Sequence, residues 1–486
     1  MNWGARMSRE KALDAQGLSR RSALRLAGTA GLVTAGGASL STASAGPVAA
    51  VGPGSLGTPP PYAPSGRRPR YRRATWSQQF QSGHGWSAAG TGTSSADVND
   101  TSLFVRGTQS VRVTTTGTGN QSYVRRLGGA ATSLTGKAVR LVLRVDDTAH
   151  LSKMSFYLGT GSLANHFLWQ FHTHSATATN YVQSGEWVTV HLQWADVTSA
   201  AGTYSISSAG VPSTTTGFTD MSFAVYDNAG GPVTYHLQAV ELIPDTSSVF
   251  PKGVVSITFD DSHTSVHGLA RPVMDAYGCS GTVYNIADAI GSDTFLTLDQ
   301  MRSLQDFSGW EMAGHAYATS AHTASYSALT AQQVDDDLRT LREWLVGNGF
   351  TSEHFAYPHG AFEKTTDGVP VDRIASRHFT TARSIVSETI ESFAPAMPYR
   401  LKALTGINDG SGIGGTALAN LIAAGGRLDR CAHSGDWLIL CLHRIVAGAP
   451  AASTEISRAG LDTLMKAITD RGIPVLTVAE AMAYYT

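Results

Sequence analysis

The sequence predicts two folded domains, an all-β sandwich over 75–247 and a parallel α/β barrel or open sheet over 248–486. Three observations carry this expectation. Between residues 75 and 245, apolar and polar residues alternate at period two, with Gly, Ser, Thr, Asn and Asp clusters between the runs. From Phe250 onward, short apolar runs alternate with helical patterns. The first 74 residues fit neither texture and carry most of the chain's uneven charge.

The 486 residues have a formal charge of −1, with 15% charged residues where about 25% is usual. That near-neutrality averages two unlike parts, +9 over residues 1–73 and −10 over the rest. An acidic folded portion gives no pull toward nucleic acid. No run of about 18 apolar residues follows the N-terminus, so stable membrane insertion is not expected. Cys279, Cys431 and Cys441 match neither a disulfide framework nor a zinc knuckle.

Residues 1–45 resemble a twin-arginine export signal. Ser19-Arg20-Arg21-Ser22 precedes a weakly apolar stretch from Leu26 to Leu40, and Ala43-Ser44-Ala45 offers a small-residue cleavage site. This implies a secreted or wall-associated protein. A basic amphipathic helix is the alternative. Residues 46–74 read as a Pro/Gly/Arg-rich linker, solvated or touching an anionic polymer.

In the β-rich region, Ser110–Thr114, Val139–Val145, Val188–Trp194 and the Met221, Phe223, Val225 alternation read as strands. The pattern loosely resembles the jelly-roll carbohydrate-binding modules appended to secreted glycan enzymes. Trp76, Trp169, Trp187 and Tyr226 are therefore candidates for stacking on sugar rings, although each reads more readily as sandwich core. His166, His172 and His174 lack a carboxylate or cysteine partner and read as ordinary polar positions.

The barrel region begins with Val254–Phe259, a buried-strand pattern. Val266–Tyr277 reads as a helix stopped by Gly278, and Gly281–Tyr284 as the next strand. Thr330-Ala331-Gln332-Gln333 is a capping box opening a helix with Val334, Leu338, Leu341 and Leu345 on one face. His354–Tyr357 and Trp437–Leu442 read as strands, Ser457–Arg471 as a helix, and Pro474–Thr477 as the last strand. The chemically able residues fall at strand ends: Asp260 and Asp261, His315, Pro358-His359-Gly360, and His443. In a parallel barrel the carboxyl ends of all strands share one face, so these distant segments converge.

These segments resemble the polysaccharide deacetylase superfamily, which includes chitin and peptidoglycan deacetylases. The resemblance covers roughly 250–486 and rests on Thr258-Phe259-Asp260-Asp261, Gly309 to His315, Phe355 to Gly360, Leu440-Cys441-Leu442-His443, and Gly472 to Thr477. It implies a distorted barrel, often of seven strands, that removes acetyl groups from an N- or O-acetylated polysaccharide. It further implies that Asp261, His315 and a second histidine hold a divalent metal, most simply Zn2+. Asp260 would be the general base and His443 the general acid, with Tyr357, Pro358, His359 and Gly360 lining the substrate site.

Two departures from the family pattern stand out. The histidine pair is usually spaced i, i+4, but Thr319 occupies that position and the next histidine is His322. A three-residue insertion keeps His322 as the ligand; a lost ligand is the alternative, with His263 a spare. Ala356 stands where many members carry an arginine that orients the base, and Arg383 could supply that charge from a neighbouring strand. Cys441 reads as a small buried hydrophobe. The competing function is a glycan-binding protein with an inactive barrel. A two-carboxylate glycosidase is disfavoured because Asp260 and Asp261 are adjacent, whereas that chemistry separates its carboxyl groups by about 5–10 Å.

Overall fold

The computed structural model describes residues 60–65, 71–173, 181–197, 209–386, 391 and 395–484. The signal-like segment, most of the linker and His174 lie outside these residues, as does the side chain of His172. No helix among the described residues is long and apolar enough to cross a membrane.

The upstream region is built from two antiparallel sheets. One contains β1 (Trp76–Gln79), β3 (Thr93–Asp100), β4 (Ser110–Thr115), β6 (Lys137–Val145), β9 (Glu186–Leu192) and β11 (Thr234–Pro244). The other runs in the order β2 (Ser87–Ala89), β5 (Gln121–Arg126), β10 (Asp220–Asp227), β7 (Leu151–Thr160) and β8 (Asn165–Thr173). Their shared core includes Val113, Leu141, Val190, Phe156, Phe223 and Trp169. This is the period-two pattern made physical: alternate side chains of each strand enter one apolar layer.

The end of the linker is laid on this sandwich. Arg140 donates to the Arg72 carbonyl and the Tyr71 hydroxyl, and its guanidinium lies 4.5 Å from the centre of the Tyr71 ring. Arg72 donates to the Pro244 carbonyl. Arg72 and Tyr71, at the end of the linker, thus pack on the sandwich.

Downstream, six parallel strands form one curved sheet. In sequence they are β12 (Val254–Phe259), β13 (Thr282–Ile286), β14 (Glu311–Ala316), β15 (His354–Ala356), β16 (Thr381–Arg383) and β17 (Trp437–Leu442). The spatial order is β16-β15-β14-β13-β12-β17. The two edges approach through the segment Leu401–Leu404, which bridges Arg383 on one side and Leu440 on the other. A regular ladder thus covers six strands, and the seventh position is filled only by isolated bridges. Pro474–Thr477, expected as a strand, makes one such bridge, Val255 to Val475.

Among the helices on this sheet are α1 (Arg271–Ala276), α2 (Leu298–Ser308), α3 (Thr319–Ala324), α4 (Ala331–Gly347), α5 (Arg427–Ser434) and α6 (Arg458–Asp470). Thr330 caps α4 in the expected box with Gln333. Val334, Leu338, Leu341 and Leu345 enter the core between helices and sheet. Inside the ring, Tyr284, Ala313, Ala356, Ile439 and Cys441 form a separate apolar cluster.

The two domains are joined by buried polar contacts. Arg400 is 2% exposed; it pairs with Asp372 of the barrel at 2.7 Å and Glu186 of the sandwich, and donates to the Tyr181 carbonyl. Arg427 of α5 reaches Asp196 at 3.0 Å. Ala195 belongs to the barrel's core, and Val386 and Met397 pack on the sandwich's core.

Candidate metal centre and active site

Asp260 and Asp261 leave the sheet immediately after β12, whose six residues are all buried. The Asp260 N–H donates to the Leu442 carbonyl at 2.9 Å, which fixes the neighbouring exit of β17 and hence the position of His443. Asp261 and Ser262 then adopt left-handed backbone, with φ of 69° and 58°. Such conformations cost non-glycine residues about 1–3 kcal/mol each and persist where the surroundings impose them. Here Ser262 is held by its Oγ, which accepts from the Ile286 N–H and donates to Asn285. The turn swings the Asp261 carboxylate toward β14.

His315 lies near the end of β14 and is 2% exposed. Its Nδ1 lies 2.8 Å from the Ala356 carbonyl, so that nitrogen carries the proton and donates. Nε2 is thereby turned toward Asp261, at 3.5 Å from Oδ1. His322 sits on α3, one turn beyond the strand, with Nε2 3.1 Å from the same oxygen and 3.2 Å from His315 Nε2. The seven-residue spacing therefore still delivers two imidazoles to one carboxylate. Three donors each about 2.0–2.2 Å from a tetrahedral ion lie about 3.3 Å apart. The observed separations match, so the donor set fits a divalent cation such as Zn2+ without rearrangement. His263 lies farther off, 3.9 Å from Asp261 Oδ2, and stacks on Phe295.

The electrostatics agree with a cation-seeking site. Burial works to raise the Asp261 carboxyl, but the hydrogen bonds from His315 and His322 outweigh it and hold it well below the usual carboxylate range. Burial likewise works to lower the His315 imidazole, and Asp260 and Asp261 reverse this and hold it above its usual value.

Asp260 is clamped from the far side. Arg383, the last residue of β16 and fully buried, donates through Nη2 to Asp260 Oδ2. Arg383 stands directly beside Ala356 in the β15–β16 register. Its guanidinium carbon lies 5.1 Å from the centre of the Tyr284 ring. Burial raises the Asp260 carboxyl, yet Arg383, followed by His315 and His443, brings it below the usual range. Cys441 completes the surroundings: its thiol, fully buried, donates to Asp260 Oδ2 at 3.4 Å.

The four residues of the third motif are divided by the fold. Tyr357 and Pro358 are buried, and the Tyr357 hydroxyl donates to the Tyr399 carbonyl at 3.0 Å. His359 alone presents its ring at the surface. Its Nε2–H donates to the His322 carbonyl at 3.0 Å, in a left-handed backbone with φ 56°. Gly360 follows with φ 71°, and any Cβ there would meet Ile385 at 2.8–2.9 Å.

One supporting residue escaped the sequence reading. Asp337, on α4, accepts from the N–H groups of Tyr317 and Ala318 and from the Tyr326 hydroxyl. It thereby fixes the loop between His315 and His322. Its signal was an acid placed three residues after Val334, within the apolar stripe of that helix.

The stacking candidates are not free platforms. Trp169 is 1% exposed in the sandwich core, Trp76 packs edge-on against Phe218, Trp187 is half-buried near His236, and Lys153 sits over Tyr226.

Two carboxylates, three histidines and a buried arginine thus meet at the carboxyl ends of β12, β14, β16 and β17, in the order of the motifs. Residues 247–371 match the polysaccharide deacetylase family. That deacetylase match contains Asp260, Asp261, His315, His322 and His359, whereas Arg383 and His443 lie beyond it. No curated protein matches the chain. Among solved structures, the Xyl-CE4 domain of a multidomain xylanase from the hindgut metagenome of Trinervitermes trinervoides is 16% identical, over 48% of this chain and 91% of its own, with a TM-score of 0.31. A family 4 acetyl xylan esterase from Clostridium thermocellum, solved with a cobalt ion, is 18% identical over 48% and 91%, with a TM-score of 0.30. A carbohydrate-binding module of the β-sandwich superfamily is 16% identical over 34% and 58%, with a TM-score of 0.25. At these TM-scores the neighbours carry no argument about this chain's chemistry.

Proposed function

We propose that the protein is a secreted, metal-dependent hydrolase that removes acetyl groups from an N- or O-acetylated polysaccharide. The observation that carries this reading is the Asp261–His315–His322 donor triangle, set beside a carboxylate that an arginine holds ionised. Asp261, His315 and His322 would hold a divalent cation, which would lower the pKa of a bound water and polarise the acetyl carbonyl.

The chain's own groups do the rest. Asp260 accepts the proton of the attacking water through Oδ1, the oxygen that Arg383 and Cys441 leave free. Arg383 keeps that carboxylate ionised and oriented. His443 gives a proton to the departing amine or alkoxide as the acyl bond breaks. The N–H groups of Gly360 and Ala361 are taken by the Tyr357 and Pro358 carbonyls, which leaves the His359 N–H as the backbone donor for the developing oxyanion. His359 also steadies α3, and with it His322. The export-type N-terminus supports a substrate outside the cytoplasm, and the sandwich supports a role beside a glycan.

The test is acetate release from acetylated chitin, peptidoglycan, poly-N-acetylglucosamine and xylan by metal-loaded protein. Release on one of these polymers, abolished in Asp260→Asn, is expected. Release that persists in that variant refutes the assigned base. A metal-free protein that binds glycan and releases no acetate favours the inactive-barrel alternative.

A further inference from the structure

We propose that Asp260, Cys441 and His443 form a second cation site, selective for thiophilic divalent metals, whose occupation switches off the hydrolase. Only the effect on activity depends on the function proposed above; the binding itself does not.

Three observations lead here. One carboxylate oxygen, one sulfur and one imidazole nitrogen from these residues lie within 4.8 Å of one another, apart from the Asp261 triangle. Cys441 Sγ and Asp260 Oδ2 are 3.4 Å apart. Arg383 holds Oδ2, so the carboxylate oxygen open to an ion is Oδ1. Asp260 Oδ1 and His443 Nδ1 are both buried with no hydrogen-bond partner among the described residues. Buried polar atoms are nearly always satisfied, so two orphans in one triad point to a bound ligand.

The chemistry selects the ion. Hard cations prefer all-oxygen sites, whereas a thiolate and an imidazole select zinc-like and softer metals. Without an ion, burial keeps Cys441 a thiol, pushed up to about 12. Binding replaces the S–H bond with an S–metal bond, and the proton leaves to solvent with no change in oxidation state. Arg383 opposes a second cation, but the carboxylate and the new thiolate together outweigh its single charge. The site is therefore weaker than the Asp261 centre and fills after it. Once filled, it takes the carboxylate and the imidazole assigned as base and acid.

Cadmium titration of the full chain tests this, because a cadmium–thiolate bond gives an ultraviolet charge-transfer band that carboxylates and imidazoles do not. The band is expected in wild type and in His322→Ala, and is expected to be lost in Cys441→Ser. His443→Ala, a change at a half-buried loop position, is expected to weaken cadmium affinity on the order of tenfold or more while the thiol remains. No band in wild type, a band surviving in Cys441→Ser, or unchanged affinity in His443→Ala overturns the site. Loss of the band in His322→Ala assigns the thiol to the first centre and overturns a separate one. With zinc, acetate release is expected to rise with the first equivalent and fall with the second. Release that stays level while the second ion binds overturns the switch.

Discussion

Replacing Arg383 by Met removes the cation beneath Asp260 and keeps most of the side-chain volume. Both partners are almost fully buried, with side-chain exposures of 0% and 3%, so solvent cannot screen the stranded carboxylate. Breaking a buried pair from one side costs about 3–5 kcal/mol. For a domain of this size that is a fall in Tm of roughly 6–20 °C. The pH dependence has a definite sign. Arg383 holds the folded Asp260 below its unfolded value of about 3.9, so the pair's stabilisation is full above that pH. It fades as pH falls through the folded value. The gap between wild type and variant should therefore be wide at pH 7 and close only in strong acid. Thermal melts of wild type, Arg383→Met, Asp260→Asn and the double variant form the assay. The double variant should recover much of the loss, because it leaves no charge unpaired. A single-variant loss under about 1 kcal/mol, or strict additivity in the cycle, refutes the reasoning.

Four further outcomes follow from the same geometry. His322→Ala should lower metal content below one equivalent at stoichiometric zinc and remove the metal-induced rise in Tm, worth about 2.7 kcal/mol at a hundredfold excess over Kd. Asp337→Ala should weaken metal affinity about 10–100-fold by freeing the Tyr317–Ala318 turn, measured by competition with a chelator. Gly360→Ala should cost about 1–3 kcal/mol and reduce acetate release, since its φ and the contact with Ile385 both exclude a Cβ. Asp436 is buried, and desolvation, reinforced by Asp196, raises it to about 7. The folded state then holds a proton that the unfolded chain loses near pH 4, so stability should fall between pH 4 and 7. Asp436→Asn should flatten that fall in a pH series of melts.

The strands were legible where a short, mostly apolar run is buried throughout. Trp437–Leu442 appears with the expected bounds, and Val254–Phe259 likewise. Pro474–Thr477 was not, because an apolar run with a leading proline shows propensity without showing whether a partner strand is there. Leu401–Leu404 left no signal at all, since its place in the ring is set by the two edges it meets. At the site, the strand-end rule brought Asp260, Asp261, His315 and His443 together. The burial of Tyr357 and its hydroxyl's bond to the Tyr399 carbonyl were not legible, because a motif position does not show which way a side chain turns. Cys441 is buried as expected of a small hydrophobe; burial was visible in the run, but its neighbour Asp260 across the β12–β17 pair was not.

The guanidinium beneath Asp260 comes from the strand next to the one on which the family resemblance places it. On the inner face of a curved parallel sheet, a long side chain has several anchor points from which its tip reaches the same spot. The role is then attached to a location rather than to a sequence column. Column-by-column comparison would score Ala356 as a deletion of function, and Arg383 as an unremarked residue of another strand. Such sheets can thus set one charge in the same place from either of two neighbouring strands, and apparent motif loss in them is best judged by what fills the space between the strands.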